Sequence, residues 1–199
     1  AAVLAGPDFL LLFPMEEPPP RPFRPQVQRV LICFGGSDPA DLSRRTARIL
    51  ARFGRRADYR LVIGPHYGPR EDLRSLVREM PSFTLLERLY SLADEMAMSD
   101  LALISGGTLV YETCALGRPA LVISQNEEQA KEAEHLALQG AIDHAGSHDG
   151  LSDQEILVAI RDLWDDPHRR AALSTSAARL IPRDGAERAA AAILEHLNI

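Results

Sequence analysis

From Gln28 onward, short apolar stretches alternate with longer amphipathic ones, and this alternation constrains the fold more than any other feature. The apolar stretches predict β-strands at 29–34, 59–63, 82–86, 101–104, 120–124 and 141–144. The remaining stretches predict helices at 38–53, 70–79, 89–98, 108–116, 127–139, 152–164, 166–180 and 185–197. Strands that alternate with helices are typical of a parallel sheet covered on both faces. The sequence therefore predicts an α/β, Rossmann-like fold.

The first part of the chain has a different composition. Six prolines oppose regular helix there and favour an extended path: Pro14, Pro18, Pro19, Pro20, Pro22 and Pro25. We therefore expect residues 1–27 to form a proline-rich interdomain segment and residues 28–199 to form one folded domain. Because such segments usually connect two domains, this composition also predicts an N-terminal half that the sequence does not contain.

The composition narrows the classes of partner that the protein is expected to bind. The net charge of −6 argues against nucleic acid or an anionic membrane surface. Paired arginines lie among acidic residues on predicted helices or at their ends, which indicates solvated faces: Arg44–Arg45, Arg55–Arg56 and Arg169–Arg170. No apolar run approaches the length of about 18 residues that a membrane span requires, so no integral membrane segment is predicted.

The two cysteines, Cys33 and Cys114, fall within apolar patterns and form no CxxC motif. This is typical of small buried hydrophobic residues in a reducing compartment, and it predicts a cytoplasmic protein.

The motif from Ser105 to Glu112 is the strongest indication of a binding site. Gly106, Gly107 and Thr108 follow a predicted strand and open a predicted helix. Glycines allow backbone N–H groups to approach a ligand closely, and a helix N-terminus favours an anion. Glu112 lies one turn further along, where a carboxylate can accept hydrogen bonds from two hydroxyls such as those of a ribose. The alternative is that Glu112 is simply solvated.

A second glycine-rich turn, Gly35-Gly36-Ser37, follows the first predicted strand. Ser37 and the amides after it are placed to bind a phosphate at the start of the next helix. The spacing matches neither GxGxxG nor a P-loop, which disfavours dinucleotide or ATP binding by those routes. A turn that needs glycine only for its shape is the alternative. Two such turns together suggest a nucleotide diphosphate held between them.

Other candidate residues are less specific. Glu128 and Gln129 begin the helix after the strand at 120–124, and His66 lies in a turn at the end of a strand, where active sites gather. For Gln129 and for His66 the alternative is an ordinary surface position. The other histidines show no nucleophile or metal-ligand spacing, so the sequence predicts neither a metal site nor a cofactor, and it shows no catalytic motif.

Four segments together resemble a known family: 35–39, 105–112, 115–119 and 128–129. They are similar to the C-terminal half of the pseudaminic-acid-pathway hydrolase family, which cleaves UDP-2,4-diacetamido-2,4,6-trideoxy-β-L-altropyranose, and to its spore-coat polysaccharide relatives. These are similar in turn to MurG-type glycosyltransferases of the GT-B architecture. The opening residues 5–12 resemble the family's interdomain segment.

The resemblance implies roles for particular residues. The domain would hold the nucleotide of a UDP-sugar, with Gly36 and Ser37 facing the phosphates and Gly107 and Thr108 assisting. Glu112 would bind the ribose hydroxyls. Gln129 would lie near the sugar or the diphosphate, next to the candidate Glu128, where the family more often has asparagine. The family's catalytic histidine lies in the N-terminal half, so the chain alone is expected to be inactive.

Three hypotheses are consistent with these residues. The domain belongs to a UDP-sugar hydrolase in which water attacks the anomeric carbon, to a GT-B glycosyltransferase in which an acceptor hydroxyl replaces water, or to a non-catalytic interaction protein. The first two share their binding residues, so the sequence does not separate them.

Overall fold

A computed structural model describes residues 3–12 and 23–197. Five of the six prolines of the predicted proline-rich segment, those from Pro14 to Pro22, therefore lie outside the described residues. The strands are β1 Arg29–Cys33, β2 Asp58–Ile63, β3 Phe83–Glu87, β4 Leu101–Ile104, β5 Ala120–Ser124 and β6 Asp143–Ser147. The helices are α1 Leu42–Phe53, α2 Arg70–Arg78, α3 Ala93–Met98, α4 Thr108–Ala115, α5 Glu127–Leu138, α6 Asp153–Asp165, α7 Pro167–Leu180 and α8 Gly185–Leu197, with a short 3₁₀ turn at Pro7–Phe9.

The strands form one sheet in the order β3-β2-β1-β4-β5-β6, and every pair of neighbours is parallel. This confirms the predicted α/β, Rossmann-like fold. The chain moves outward from β1 in one direction through β2 and β3, and then in the other through β4, β5 and β6. β1 and β4 therefore flank the point where the direction of winding reverses.

Alternation along β1 shows how the sheet divides the core into two layers. Val30 and Ile32 are fully buried on one face together with residues of α1 and α6. Leu31 and Cys33 are buried on the other face with residues of α4 and α5. Successive side chains of a strand point to opposite faces, so a strand covered on both sides reads as a continuous apolar run.

Both cysteines are buried and unpaired, as predicted. Burial raises the pKa of the Cys33 thiol to about 11 and that of Cys114 to about 12. Neither thiol is therefore activated at neutral pH.

The prediction that the paired arginines lie on solvated faces is wrong for Arg170, whose side chain is fully buried. Its guanidinium donates hydrogen bonds to the carbonyls of Leu163, Trp164 and Pro25. Leu163 and Trp164 lie at the C-terminal end of α6, where carbonyls lack partners within the helix. Burial lowers the pKa of the guanidinium, although nearby carboxylates oppose the change. Arg170 thus ties the end of α6 to the segment that enters β1.

No helix within the described ranges is both long and apolar enough to cross a bilayer.

Candidate functional site: a cleft at the carboxyl ends of β1 and β4

The reversal between β1 and β4 opens a crevice at the carboxyl edge of the sheet, where ligands of open α/β folds usually bind. Both glycine turns predicted from the sequence lie at this edge, because one follows β1 and the other follows β4. The fold therefore brings together two segments about 70 residues apart in the sequence.

The first turn is built differently from the sequence prediction. α1 begins at Leu42, four residues later than expected, because Asp38 and Asp41 both adopt left-handed backbone conformations. The buried Asp38 carboxylate accepts hydrogen bonds from the amides of Leu42, at 2.9 Å, and Ser43, at 2.8 Å. The Leu42 and Ser43 amides at the start of α1 are therefore occupied by a side chain of the protein and are not free to bind a phosphate. Gly36 and Ser37 lie exposed in the turn itself.

A neighbouring turn packs directly against the first one. A Cβ added to Gly64, after β2, would lie 2.3 Å from Gly36 Cα, which no real contact allows. The His66 amide donates to the Gly36 carbonyl at 2.9 Å, and the Tyr67 hydroxyl donates to Asp41 at 2.5 Å. Gly64 is therefore required by the close approach of two backbones, and the two turns form one wall of the cleft.

The second turn presents an uncapped helix. Gly107 is the N-cap of α4, and no side chain accepts a hydrogen bond from the first amides of that helix. Thr108 is exposed at the first helical position. The N-terminus of α4 therefore offers free N–H groups and the positive end of a helix dipole to the cleft.

Gln125 and Gln129 hold this turn against its neighbours. Gln125 Nε2 donates to the Phe34 carbonyl at the end of β1, at 2.7 Å, and the Gln125 amide donates to Gln129 Oε1 at 3.0 Å. A Cβ on Gly106 would lie 2.9 Å from the Gln129 carbonyl. The start of α5 thus packs on Gly106, which accounts for the glycine at that position.

Glu112 lies four residues after Thr108 on the same face of α4 and borders the cleft with it. Its half-buried carboxylate makes no hydrogen bond or ion pair with any described residue, and burial raises its pKa. A carboxylate that is partly desolvated and unpartnered is well suited to accept hydrogen bonds from ligand hydroxyls.

The cleft consists of two adjoining chambers that share Leu89, Leu92 and Glu112. One, of about 240 Å³, lies between the glycine turns and α4, and we call it the glycine chamber. The other, of about 220 Å³, lies between α4 and the β3–α3 connection, and we call it the α3 chamber. Its other lining residues are Tyr90, Ser91, Ala93 and Met96.

In the structure, the predicted site residues either line the glycine chamber, support the second turn or lie exposed outside both chambers. Those that line the glycine chamber are Gly35, Gly36, Thr108 and Glu112. Gly106, Gly107 and Gln129 form the second turn and its support. Ser37, His66 and Glu128 are exposed and do not line either chamber.

Sequence reasoning missed the contribution of the β3–α3 connection. Residues 89–92 were predicted to be helical, but α3 begins at Ala93, and Arg88 has a left-handed backbone with φ of 57°. The chain before α3 is therefore free to border both chambers. No glycine or proline marks this connection, so the sequence carries no signal for it.

Comparison with known proteins supports the fold. No family model matches the chain. It is homologous to the spore coat polysaccharide biosynthesis protein SpsG of Bacillus subtilis (strain 168), with 27% identity over 98% of this chain and 58% of that protein. MurG of Acinetobacter baumannii superposes with a TM-score of 0.70 and 16% identity, over 85% of this chain and 50% of that one.

UDP-GlcNAc 2-epimerase of Neisseria meningitidis, solved with UDP-GlcNAc bound, superposes with a TM-score of 0.68 and 16% identity, over 85% of this chain and 45% of that one. The chain thus spans about half the length of these proteins. The parallel sheet and these similarities show a Rossmann-like fold that is shared with a half of MurG.

Proposed function

We propose that the domain binds a UDP-sugar in the cleft at the carboxyl ends of β1 and β4. The observation that carries this proposal is the arrangement of α4, whose uncapped N-terminus and unpartnered Glu112 carboxylate both border the cleft. Free amides at a helix start suit a diphosphate, and a carboxylate one turn away suits the two hydroxyls of a ribose. Neighbours solved with UDP-GlcNAc and with thymidine diphosphate support a pyrimidine nucleotide, and of these we propose uridine.

The reaction we propose is release of UDP by attack of water at the anomeric carbon of the sugar, in surface polysaccharide or nonulosonic-acid biosynthesis. Homology to SpsG supports a role in polysaccharide biosynthesis. The described residues that line the cleft include no histidine to activate water. Since the chain spans about half of its relatives, we propose that residues 28–199 form the nucleotide-sugar domain. The catalytic base would then lie in a second domain joined through the segment at 1–27.

Similarity to MurG favours a second candidate, the donor-nucleotide domain of a GT-B glycosyltransferase. An acceptor hydroxyl would then attack the same carbon, with the same residues holding UDP. Release of UDP from a UDP-sugar by the full-length protein in the absence of any acceptor would distinguish hydrolysis from transfer.

Calorimetric titration of the chain with UDP and with ADP tests the binding proposal. We expect UDP to bind at least about tenfold more tightly than ADP. Equal or tighter binding of ADP, or no heat with UDP at millimolar concentration, would contradict the proposal.

A further inference from the structure

We propose that Arg88 is the cationic residue that pairs with the diphosphate of the bound nucleotide, an inference that rests on the function proposed above. Arg88 directly follows β3 and borders the glycine chamber, together with Gly35, Gly36 and Thr108. It does not border the α3 chamber. Arg88 therefore borders the same chamber as the glycine turns and the first residue of α4, which would hold phosphate.

Without Arg88, the described lining of the cleft would contain no positively charged side chain to balance a diphosphate. Among the described residues that line the two chambers, only Arg88 and Glu112 are charged, and Glu112 is an acid. The α4 N-terminus contributes the equivalent of about half a positive charge, which is less than a diphosphate carries in negative charge. No group of three or more His, Cys, Asp or Glu side chains in the described ranges could hold a metal ion. A guanidinium can meet phosphate oxygens with two parallel hydrogen bonds.

The side chain of Arg88 is also available. It is exposed and makes no hydrogen bond or ion pair with any described residue. Two nearby arginines differ in this respect, because Arg70 and Arg74 both donate to the Glu87 carboxylate. Glu87 is thereby occupied, and its neighbour Arg88 remains free for a ligand.

The backbone at Arg88 gives independent support. A φ of 57° is a conformation that residues other than glycine rarely adopt, and it carries an energetic cost. Outliers of this kind concentrate at ligand-binding sites, where the side chain is needed despite the strain. Glycine would remove the strain at this position but would also remove the guanidinium.

The test compares Arg88→Ala with Arg56→Ala, a matched loss of one positive charge. Arg56 is exposed, makes no side-chain bond with the described residues, and lies just before β2 at the opposite edge of the sheet. We expect Arg88→Ala to weaken UDP binding by about tenfold and to change uridine binding by less than about twofold. Arg56→Ala should leave both affinities within about twofold of wild type. Affinities for UDP and uridine are measured by calorimetric titration and by competition.

A second pair of variants separates binding from folding. Arg88→Gly should keep or raise the melting temperature while losing UDP affinity, and Arg88→Lys should recover part of the affinity. Unchanged UDP affinity in Arg88→Ala, with wild type binding UDP, would overturn the role of Arg88 and leave the proposed function standing. Equal losses for UDP and uridine would also overturn it, because they would place Arg88 at the base or ribose. Absence of UDP binding by wild type would overturn both.

Discussion

The surroundings of Glu112 in the folded protein disfavour the ionised form of its carboxyl group. Burial raises its pKa, and no described residue donates a hydrogen bond to compensate. Ligand hydroxyls would supply the missing donors and favour the charged form. Ionisation of Glu112 should therefore lower the free energy of unfolding of the unliganded domain. Binding of UDP should remove this destabilisation.

Replacing Glu112 with glutamine should stabilise the unliganded domain at pH 7. Between the ordinary carboxyl pKa of 4.5 and the raised value in the fold, the native state binds more protons than the unfolded state. Stability therefore falls as pH rises through this window, and the full cost is present at neutral pH. Urea unfolding at pH 7 and pH 4 should show a gain for Glu112→Gln only at the higher pH. Lower stability of the variant at pH 7 would show that the carboxylate has a stabilising partner.

Replacing Glu112 with alanine should weaken UDP binding by about one to two orders of magnitude, since hydrogen bonds to a charged group contribute roughly 1.5–3 kcal/mol. The control ligand is 2′,3′-dideoxy-UDP, which lacks both ribose hydroxyls and should bind wild type and variant about equally. A similar loss for both ligands would mean that the substitution acts on the fold instead.

Among the elements, the turns after β1 and β2 depend on each other. Replacing Gly64 with alanine would force its Cβ onto the backbone of Gly36, so the two turns would have to separate. We expect a loss of at least about 1–3 kcal/mol in the free energy of unfolding and weaker UDP binding. Gly68 in the same loop is the matched control, because a Cβ there meets nothing within 4 Å.

Denaturant unfolding and UDP titration of both variants check this prediction. Gly68→Ala should remain close to wild type in both measurements. A Gly64→Ala protein with wild-type stability would show that the β2–α2 turn is not held against Gly36.

The sequence predicted the elements well where the signal is local. The apolar runs placed β1, β4 and β5 within one residue, because a strand buried on both faces needs no partner information to be recognised. The start of α1 was wrong because Asp38 folds back to bond the amides of Leu42 and Ser43, a contact that spacing alone does not reveal.

The candidate site was only partly predictable, because local spacing does not show which distant segments the fold brings together. The glycine turns and Glu112 carry recognisable spacing, but Arg88 and Leu89 reach the cleft only through the sheet order, which places β3 two strands away from β1. Exposure of Ser37, His66 and Glu128 likewise depends on how neighbouring turns pack.

At the scale of the whole molecule, Arg170 connects parts that are distant in sequence. Replacing it with methionine would leave the carbonyls of Pro25, Leu163 and Trp164 without their shared donor. We expect a loss of about 3 kcal/mol in the free energy of unfolding. UDP affinity should change little, because Arg170 bonds to the segment entering β1 and the cleft lies at the opposite edge of the sheet.

Thermal unfolding and UDP titration of Arg170→Met check this, with Arg179→Met as the control because Arg179 is exposed on the same helix. The control should remain within about 0.5 kcal/mol of wild type. A large drop in UDP affinity for folded Arg170→Met would contradict the expectation that Arg170, beside the segment entering β1, does not affect the cleft at the carboxyl ends of the strands.

The central claim is that a uridine nucleotide binds across the two glycine turns, and a crystal structure of the chain with UDP tests it most directly. The diphosphate is predicted to contact the amides at the start of α4, near Gly107 and Thr108. Both ribose hydroxyls are predicted to lie within hydrogen-bond distance of the Glu112 carboxylate. A nucleotide bound elsewhere, such as beside Arg55 and Trp164 at the other edge of the sheet, or one whose ribose faces away from Glu112, would contradict the account.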